Sequence, residues 1–127
     1  MRRHVLTIDL RDDPGAIATY REYHQRVWPE VLDSLKQAGV RAMDIHILGR
    51  RLVMVLELHD GLDVQHVFAA HMSSHPRVVE WERLMRSLLE RPSDFPPGEW
   101  WAVMEPIFRS DDRQPAGARV AEQRTTS

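Results

Sequence analysis

Two apolar stretches, residues 41–48 and 51–58, are separated only by Gly49-Arg50, and that spacing constrains the chain more than any other feature. A two-residue link joins neighbouring antiparallel strands, so the stretches pair as a hairpin. In the first, Met43, Ile45 and Ile47 alternate with Asp44, His46 and Leu48, which puts the two sets on opposite faces. The second is more continuously apolar.

Other elements fall in place around this hairpin. Residues 5–10 read as a strand rich in Val, Thr and Ile, ended by Asp12-Asp13-Pro14-Gly15. Asp12 or Asp13 suits the cap of a following helix, with Pro14 in its first turn. That helix is expected over 14–38, with Ile17, Tyr20, His24, Val27, Trp28, Val31 and Leu35 on one face and Gly39 as a left-handed stop. Residues 62–71 read as a short helix. Ser73 or Ser74 then caps another, with Pro76 in its first turn and Val78, Trp81, Met85 and Leu88 as its apolar stripe. Residues 91–99 form a Pro-rich loop, and 100–108 a last strand weakened near its end by Pro106. From Arg109 onward the chain is polar and is expected to be disordered, leaving one domain over 1–108. The order is βαββαβ, a ferredoxin-like α+β arrangement with one antiparallel sheet and helices on one face. Its other face is left open, and a second copy of the chain is expected to cover it as a homodimer.

Composition narrows the function classes. The chain has 127 residues and a formal net charge of −2, with scattered basic residues, so no electrostatic footprint for nucleic acid stands out. No stretch approaches the roughly 20 apolar residues of a membrane span. The basic and apolar N-terminus is interrupted at Asp9 and has no small-residue cleavage site, so a cytoplasmic protein is expected. Cysteine is absent, which removes disulfides, zinc-thiolate sites and thiol catalysis together. There is no Gly-rich phosphate loop, nucleophile elbow or Walker motif, as a dehydrogenase, serine hydrolase or kinase would need. What remains is the inventory of proton shuffling: histidine, carboxylates and tyrosine.

Tyr20, His24 and Trp28 stand at i, i+4 and i+8 and so stack along one helix face. Leucine would fill all three places in a plain core helix. These residues instead offer a hydroxyl, an imidazole and an indole, each apolar in body and polar at one tip. Such a surface suits a sugar ring, with its apolar C–H face and polar rim. Pro29 removes a backbone hydrogen bond and disfavours helical geometry at Trp28, at about 3 kcal/mol in a helix interior, so the helix should kink or restart there. Spacing alone leaves the stripe open between satisfied core and ligand wall. His71 and His75 form an i, i+4 pair, but without a carboxylate in an H-E-x-x-H pattern they read as a capping segment and no metal is expected. Trp100-Trp101 reads as packing, core on one side and subunit interface on the other.

The segment from Tyr20 to Glu30 resembles the L-rhamnose mutarotase family, which shows a Tyr, three residues, a His, and then an aliphatic-Trp-Pro-Glu run. Here these stand as Tyr20, His24 and Val27-Trp28-Pro29-Glu30. The likeness extends over about residues 4–108, through Gly39, the hairpin and Trp81-Glu82-Arg83-Leu84-Met85. The resemblance implies a dimeric α+β barrel that interconverts the α and β anomers of a 6-deoxy-L-hexose without a cofactor. It implies that Tyr20 and His24 lie at the sugar, with His24 as proton donor, and that Trp81 packs on the substrate beside Trp28. Two departures touch the pocket wall. Glu82 follows Trp81 where the rhamnose enzymes often carry a second Trp, and Gln25-Arg26 follows His24 where they tend to have Asn-Pro. These leave the reaction in place and leave the sugar open between L-rhamnose and L-fucose.

Mutarotation needs a proton taken from the anomeric hydroxyl and one delivered to the ring oxygen. The expectation is that His24 protonates the ring oxygen while Tyr20 positions the sugar. Asp44 and His46, sharing one strand face, are the candidate opposing bases. The alternative function is a dimeric α+β barrel monooxygenase or haem-binding protein.

Overall fold

The structure, a computed structural model, describes residues 2–98 and 100–110. The expected disordered tail lies almost wholly outside the described residues. The hairpin forms with strands β2 (Val40–Leu48) and β3 (Arg51–Leu58), paired antiparallel from Leu48 opposite Arg51 to Val40 opposite Leu58. Strand β1 (Arg2–Leu10) adds to β3 along its whole length. Among the described residues there are four helices, the first two standing where one was expected over 14–38: α1 (Pro14–Gln25), α2 (Pro29–Ala38), α3 (Val64–Met72) and α4 (Pro76–Leu88).

The outer edge of β1 carries two short strands end to end rather than one. Strand β4 (Leu89–Glu90) pairs with Asp9 and Leu10, and β5 (Ala102–Met104) pairs with Val5 to Thr7. Thr7 faces Ala102 while Asp9 faces Glu90, so two steps along β1 correspond to twelve along its neighbour. About ten residues therefore leave the sheet as an excursion and return. This corrects the expected strand over 100–108, of which only Ala102–Met104 pairs. Pro106, which lacks an N–H, lies beyond that ladder.

One sheet face packs on the helices. Ile8, Leu10 and Leu52 are buried with Tyr20, Val31, Val78, Trp81, Met85 and Leu89, and Leu6, Met54, Leu56 and Leu58 with Val64 and Val67. Alternation along β3 puts Arg51, Val53, Val55 and Glu57 on the other face, where Leu48 of β2 is 84% exposed. At one end of that face Arg51 Nε lies 2.5 Å from the buried Asp9 carboxylate, and Arg50 reaches Glu90 at 2.9 Å. Among the described residues no helix is long and apolar enough to cross a membrane.

The helix boundaries follow local chemistry. Asp13 caps α1 by accepting from the Gly15 amide, ahead of Pro14 at the first position. The expected 14–38 helix is interrupted at residues 26–28 and restarts at Pro29, with the Trp28 carbonyl accepting from Val31 and Leu32. Neither Ser73 nor Ser74 caps α4. Both serines bond back to carbonyls at the end of α3, and the His75 ring nitrogen accepts from the Arg77 amide instead. Pro76 fixes this choice, because it takes the first helical position and leaves the cap to the residue before it.

Between α2 and α3 the buried Ser34 hydroxyl lies 2.7 Å from His71 Nδ1 and 2.6 Å from the Ser74 hydroxyl. His71 and His75 thus serve different contacts. Burial lowers the His71 pKa from its ordinary 6.5. Its neutral form is favoured on folding, so stability is full above pH 6.5 and is lost as pH falls from there through the folded value. The midpoint of urea unfolding should therefore drop from about pH 7.5 to about pH 5, and His71→Gln should flatten that dependence. A variant slope as steep as the wild type's would contradict it. Gly39, at φ +111°, closes α2, and a Cβ there would meet Leu62 Cδ1 at 2.2 Å. Gly39→Ala should lower stability by more than about 1 kcal/mol in the same measurement, because the left-handed backbone stays strained even if Leu62 swings aside.

Candidate active site

The interruption between α1 and α2 sets the site. His24 lies in the last turn of α1, one residue before that helix ends, so its ring sits at a helix terminus and not in mid-helix. Its Nδ1 is 2.9 Å from the Tyr20 carbonyl oxygen. A carbonyl oxygen only accepts, so Nδ1 carries the hydrogen and Nε2 of the neutral ring keeps its lone pair. The Tyr20 and His24 rings stack with centroids 4.1 Å apart and planes 28° apart.

Helix α4 supplies the opposing wall. Trp81 presents its ring at a steep angle to three neighbours: Tyr23 at 5.8 Å, His24 at 5.4 Å and Trp28 at 5.2 Å between centroids. Such edge contacts add about 0.5–1.5 kcal/mol each beyond the area they bury. Arg77 lies over the outer face of Trp28 at 3.7 Å and holds that indole from the α4 side. Residues far apart in sequence are thereby locked into one aromatic cluster, and side chains at its edge are held in place.

Tyr20, His24 and Trp81 of this cluster line a cavity of about 750 Å³ between the helices and the sheet, while Tyr23 and Trp28 stand outside its lining. Ile45 and Ile47 of β2, Leu52 and Met54 of β3, and Trp100 and Trp101 line it with Tyr20, His24 and Trp81. A volume of this order is typical of small-molecule sites. The wall is mostly apolar with a few polar and charged side chains, among them Tyr20, His24 and Glu82. The excursion between β4 and β5 carries Trp100 and Trp101 into this wall, and Arg86 of α4 lies 5.6 Å from the Trp100 ring centre.

Of the residues singled out from sequence, Tyr20, His24, Trp28 and Trp81 come together. Asp44 and His46 do not join them. Both are exposed on the sheet face that turns away from the helices, while their neighbours Met43, Ile45 and Ile47 line the cavity. Period-2 alternation puts them there, and it keeps the whole sheet between them and His24.

Glu82 is the polar residue that the pattern passed over. It follows Trp81 on α4 and lines the same cavity as Tyr20 and His24. Burial raises its pKa above the usual 4.5, against a smaller opposite pull from Arg86. Burial also pushes the Tyr20 phenol well above its usual range, and the nearby Glu82 charge adds to this. His24 moves the other way: burial lowers it from 6.5, only partly offset by the bond to the Tyr20 carbonyl. The one cause, removal from water, drives all three groups toward their neutral forms.

A family model described as L-rhamnose mutarotase matches residues 3–110. An L-fucose mutarotase of Xanthomonas campestris pv. campestris is 37% identical over 110 residues, spanning 85% of this chain and 87% of its own. A UPF0734 protein of Dictyostelium discoideum is 33% identical over 113 residues, spanning 87% and 90%. In structure, an L-rhamnose mutarotase from Formosa agariphila superposes with a TM-score of 0.61 at 19% identity, over 87% of this chain and 100% of that one. That superposition establishes the shared fold, and the sequence matches establish kinship. With a match running over nearly the whole folded part, the chain belongs to the L-rhamnose mutarotase family.

Proposed function

We propose that this chain interconverts the α and β anomers of a 6-deoxy-L-hexose, with His24 moving the proton, Tyr20 and Trp81 holding the sugar, and Trp28 buttressing Trp81. Family membership carries the reaction. The placement of His24 carries the residue assignment: its Nδ1 is tied to the Tyr20 carbonyl, its ring is walled by Trp81, and it lines the cavity. The monooxygenase or haem-protein alternative is not favoured by these relatives.

In the cyclic sugar the anomeric O1–H must lose a proton while the ring oxygen O5 gains one. Resting His24 is neutral, so its free Nε2 first accepts a proton and donates it back when the ring closes. That order differs from the donor-first expectation, although both transfers occur in each full cycle. Tyr20, held protonated, offers the sugar a hydroxyl donor. Trp81 supplies planar surface for the C–H face, and Trp28 supports it through their ring contact at 5.2 Å.

L-fucose is the sugar to test first. The L-fucose mutarotase relative is 37% identical to this chain, against 33% for the L-rhamnose mutarotase of a Jannaschia species. The working unit on this reading is a homodimer. It is supported by a sheet face that carries Val53, Val55 and the exposed Leu48 and that no helix among the described residues covers. Asp44 and His46 would then belong to the subunit contact.

Saturation-transfer NMR on L-fucose and L-rhamnose reads anomer exchange directly. The protein should accelerate exchange on at least one of the two, and His24→Asn should cut the rate by about 10²–10⁴-fold while the far-ultraviolet spectrum stays unchanged. A folded His24→Asn protein working at the wild-type rate would remove His24 from the reaction.

A further inference from the structure

His24 accounts for one of the two proton transfers. The other needs a group within reach of the ring oxygen on the same cavity wall. Asp44 and His46 are across the sheet. His71 reaches the cavity but spends Nδ1 on Ser34 at the α2–α3 end. Tyr20 holds its proton too firmly to exchange it near neutral pH. Glu82 remains: it sits one residue beyond Trp81, whose ring is 5.4 Å from that of His24, it lines the cavity with Tyr20 and His24, and its charge is near enough to act on Tyr20.

We propose that Glu82 is the second proton-transfer group, acting as a carboxylic acid toward the ring oxygen while His24 acts as base toward the anomeric hydroxyl. This rests on the mutarotase reading given above and completes it. His24 Nε2 takes the proton of O1–H, and the electrons of that bond form the C1=O1 double bond. The C1–O5 bond breaks with its pair going to O5, which takes the proton of Glu82. The products are the open aldehyde, an imidazolium and a carboxylate. Rotation about C1–C2 turns the other face of the carbonyl to O5. Closure then runs the same transfers backward: Glu82 recovers its proton from O5–H as O5 bonds to C1, and O1 takes the proton from His24. Nothing is oxidised or reduced, and both residues end as they began.

The charged surroundings are consistent with these states. Tyr20, Arg21 and His24 from α1, Lys36 from α2, Arg41 from β2, His71 from α3 and Arg86 from α4 line the same cavity as Glu82. Arg86 pulls Glu82 toward the carboxylate, but burial is the larger influence and favours the acid. In kcat/KM two groups that exchange protons in one step give a bell, with one limb from each.

The test uses the full chain, with anomer exchange measured by saturation-transfer NMR across pH on the sugar the wild type accelerates. Glu82→Gln keeps shape and removes the exchangeable proton. It should lower kcat by about 10²-fold or more, leave KM nearly unchanged, and abolish one limb of the pH profile while the other persists. Glu82→Asp keeps an acid of shorter reach, and should keep both limbs, one of them shifted, with intermediate kcat. Should Glu82→Gln fail to fold, a Glu82→Asp profile with neither limb shifted overturns the proposal. A folded Glu82→Gln protein at the wild-type kcat overturns it, as does a loss confined to KM, which would make Glu82 a recognition group only. If Glu82→Gln is unaffected while His24→Asn is inactive, Glu82 alone is displaced. A wild type that accelerates neither sugar overturns the mutarotase reading and the role of Glu82 with it.

Discussion

Pro29 cannot donate a backbone hydrogen bond, and the site depends on that missing N–H. The first long helix ends at Gln25 and a new one begins at Pro29, so the apolar stripe of one helix is divided between two. His24 is left in a terminal turn, where its ring bonds to the Tyr20 carbonyl and one ring face meets Tyr20. Trp28 falls at the cap of α2, in extended backbone, and is free to lean against Trp81 rather than follow the helix. Forcing a continuous helix through Pro29 would cost about 3 kcal/mol, and the break avoids it. Helix α4 then closes the gap, because Trp81 is the one ring that touches Tyr23, His24 and Trp28 together.

Much of this geometry was legible from spacing. The hairpin followed from its two-residue link, and the break at Trp28 from Pro29. The i, i+4, i+8 stripe placed Tyr20, His24 and Trp28 on one face because helical periodicity is a local property. Glu82 was hidden for the opposite reason. Its site partners lie about sixty positions earlier, and a carboxylate on an amphipathic helix reads as solvated until its surroundings are known. The Ser34–His71 contact joins α2 to α3 and is non-local in the same way. The split fourth strand was hidden too, since a Pro-rich stretch reads as a loop whether or not the strand resumes beyond it.

The sheet divides the molecule into two surfaces with different uses. Alternation sends Met43, Ile45 and Ile47 into the cavity wall and Asp44 and His46 to the outer face. The excursion between β4 and β5 touches both sides: Trp100 and Trp101 line the cavity, and Phe95 lies within 5.8 Å of the Arg51 guanidinium beside Asp9. The segment that finishes the cavity wall is thus anchored on the side where a second copy would sit. Titratable residues that are close in sequence to the cavity wall are consequently far from its chemistry.

The electrostatics of the cavity suit a reaction that starts and ends without charge. An imidazolium–carboxylate pair at rest would have to be stripped of water in a mostly apolar wall, a cost that ion pairing often fails to repay. Burial lowers His24 and raises Glu82, and so pushes both toward the uncharged forms that avoid that cost. The ionic pair then forms only while the ring is open. It forms with opposite signs on α1 and α4, so each charge stabilises the other, and Arg86 adds its attraction for the carboxylate. The second tryptophan that rhamnose enzymes often carry after this one could not donate such a proton. Replacing it by Glu82 gives up apolar wall and gains an acid at the ring oxygen. One of the two positions where this pocket departs from the rhamnose enzymes is therefore one whose chemistry the reaction can use.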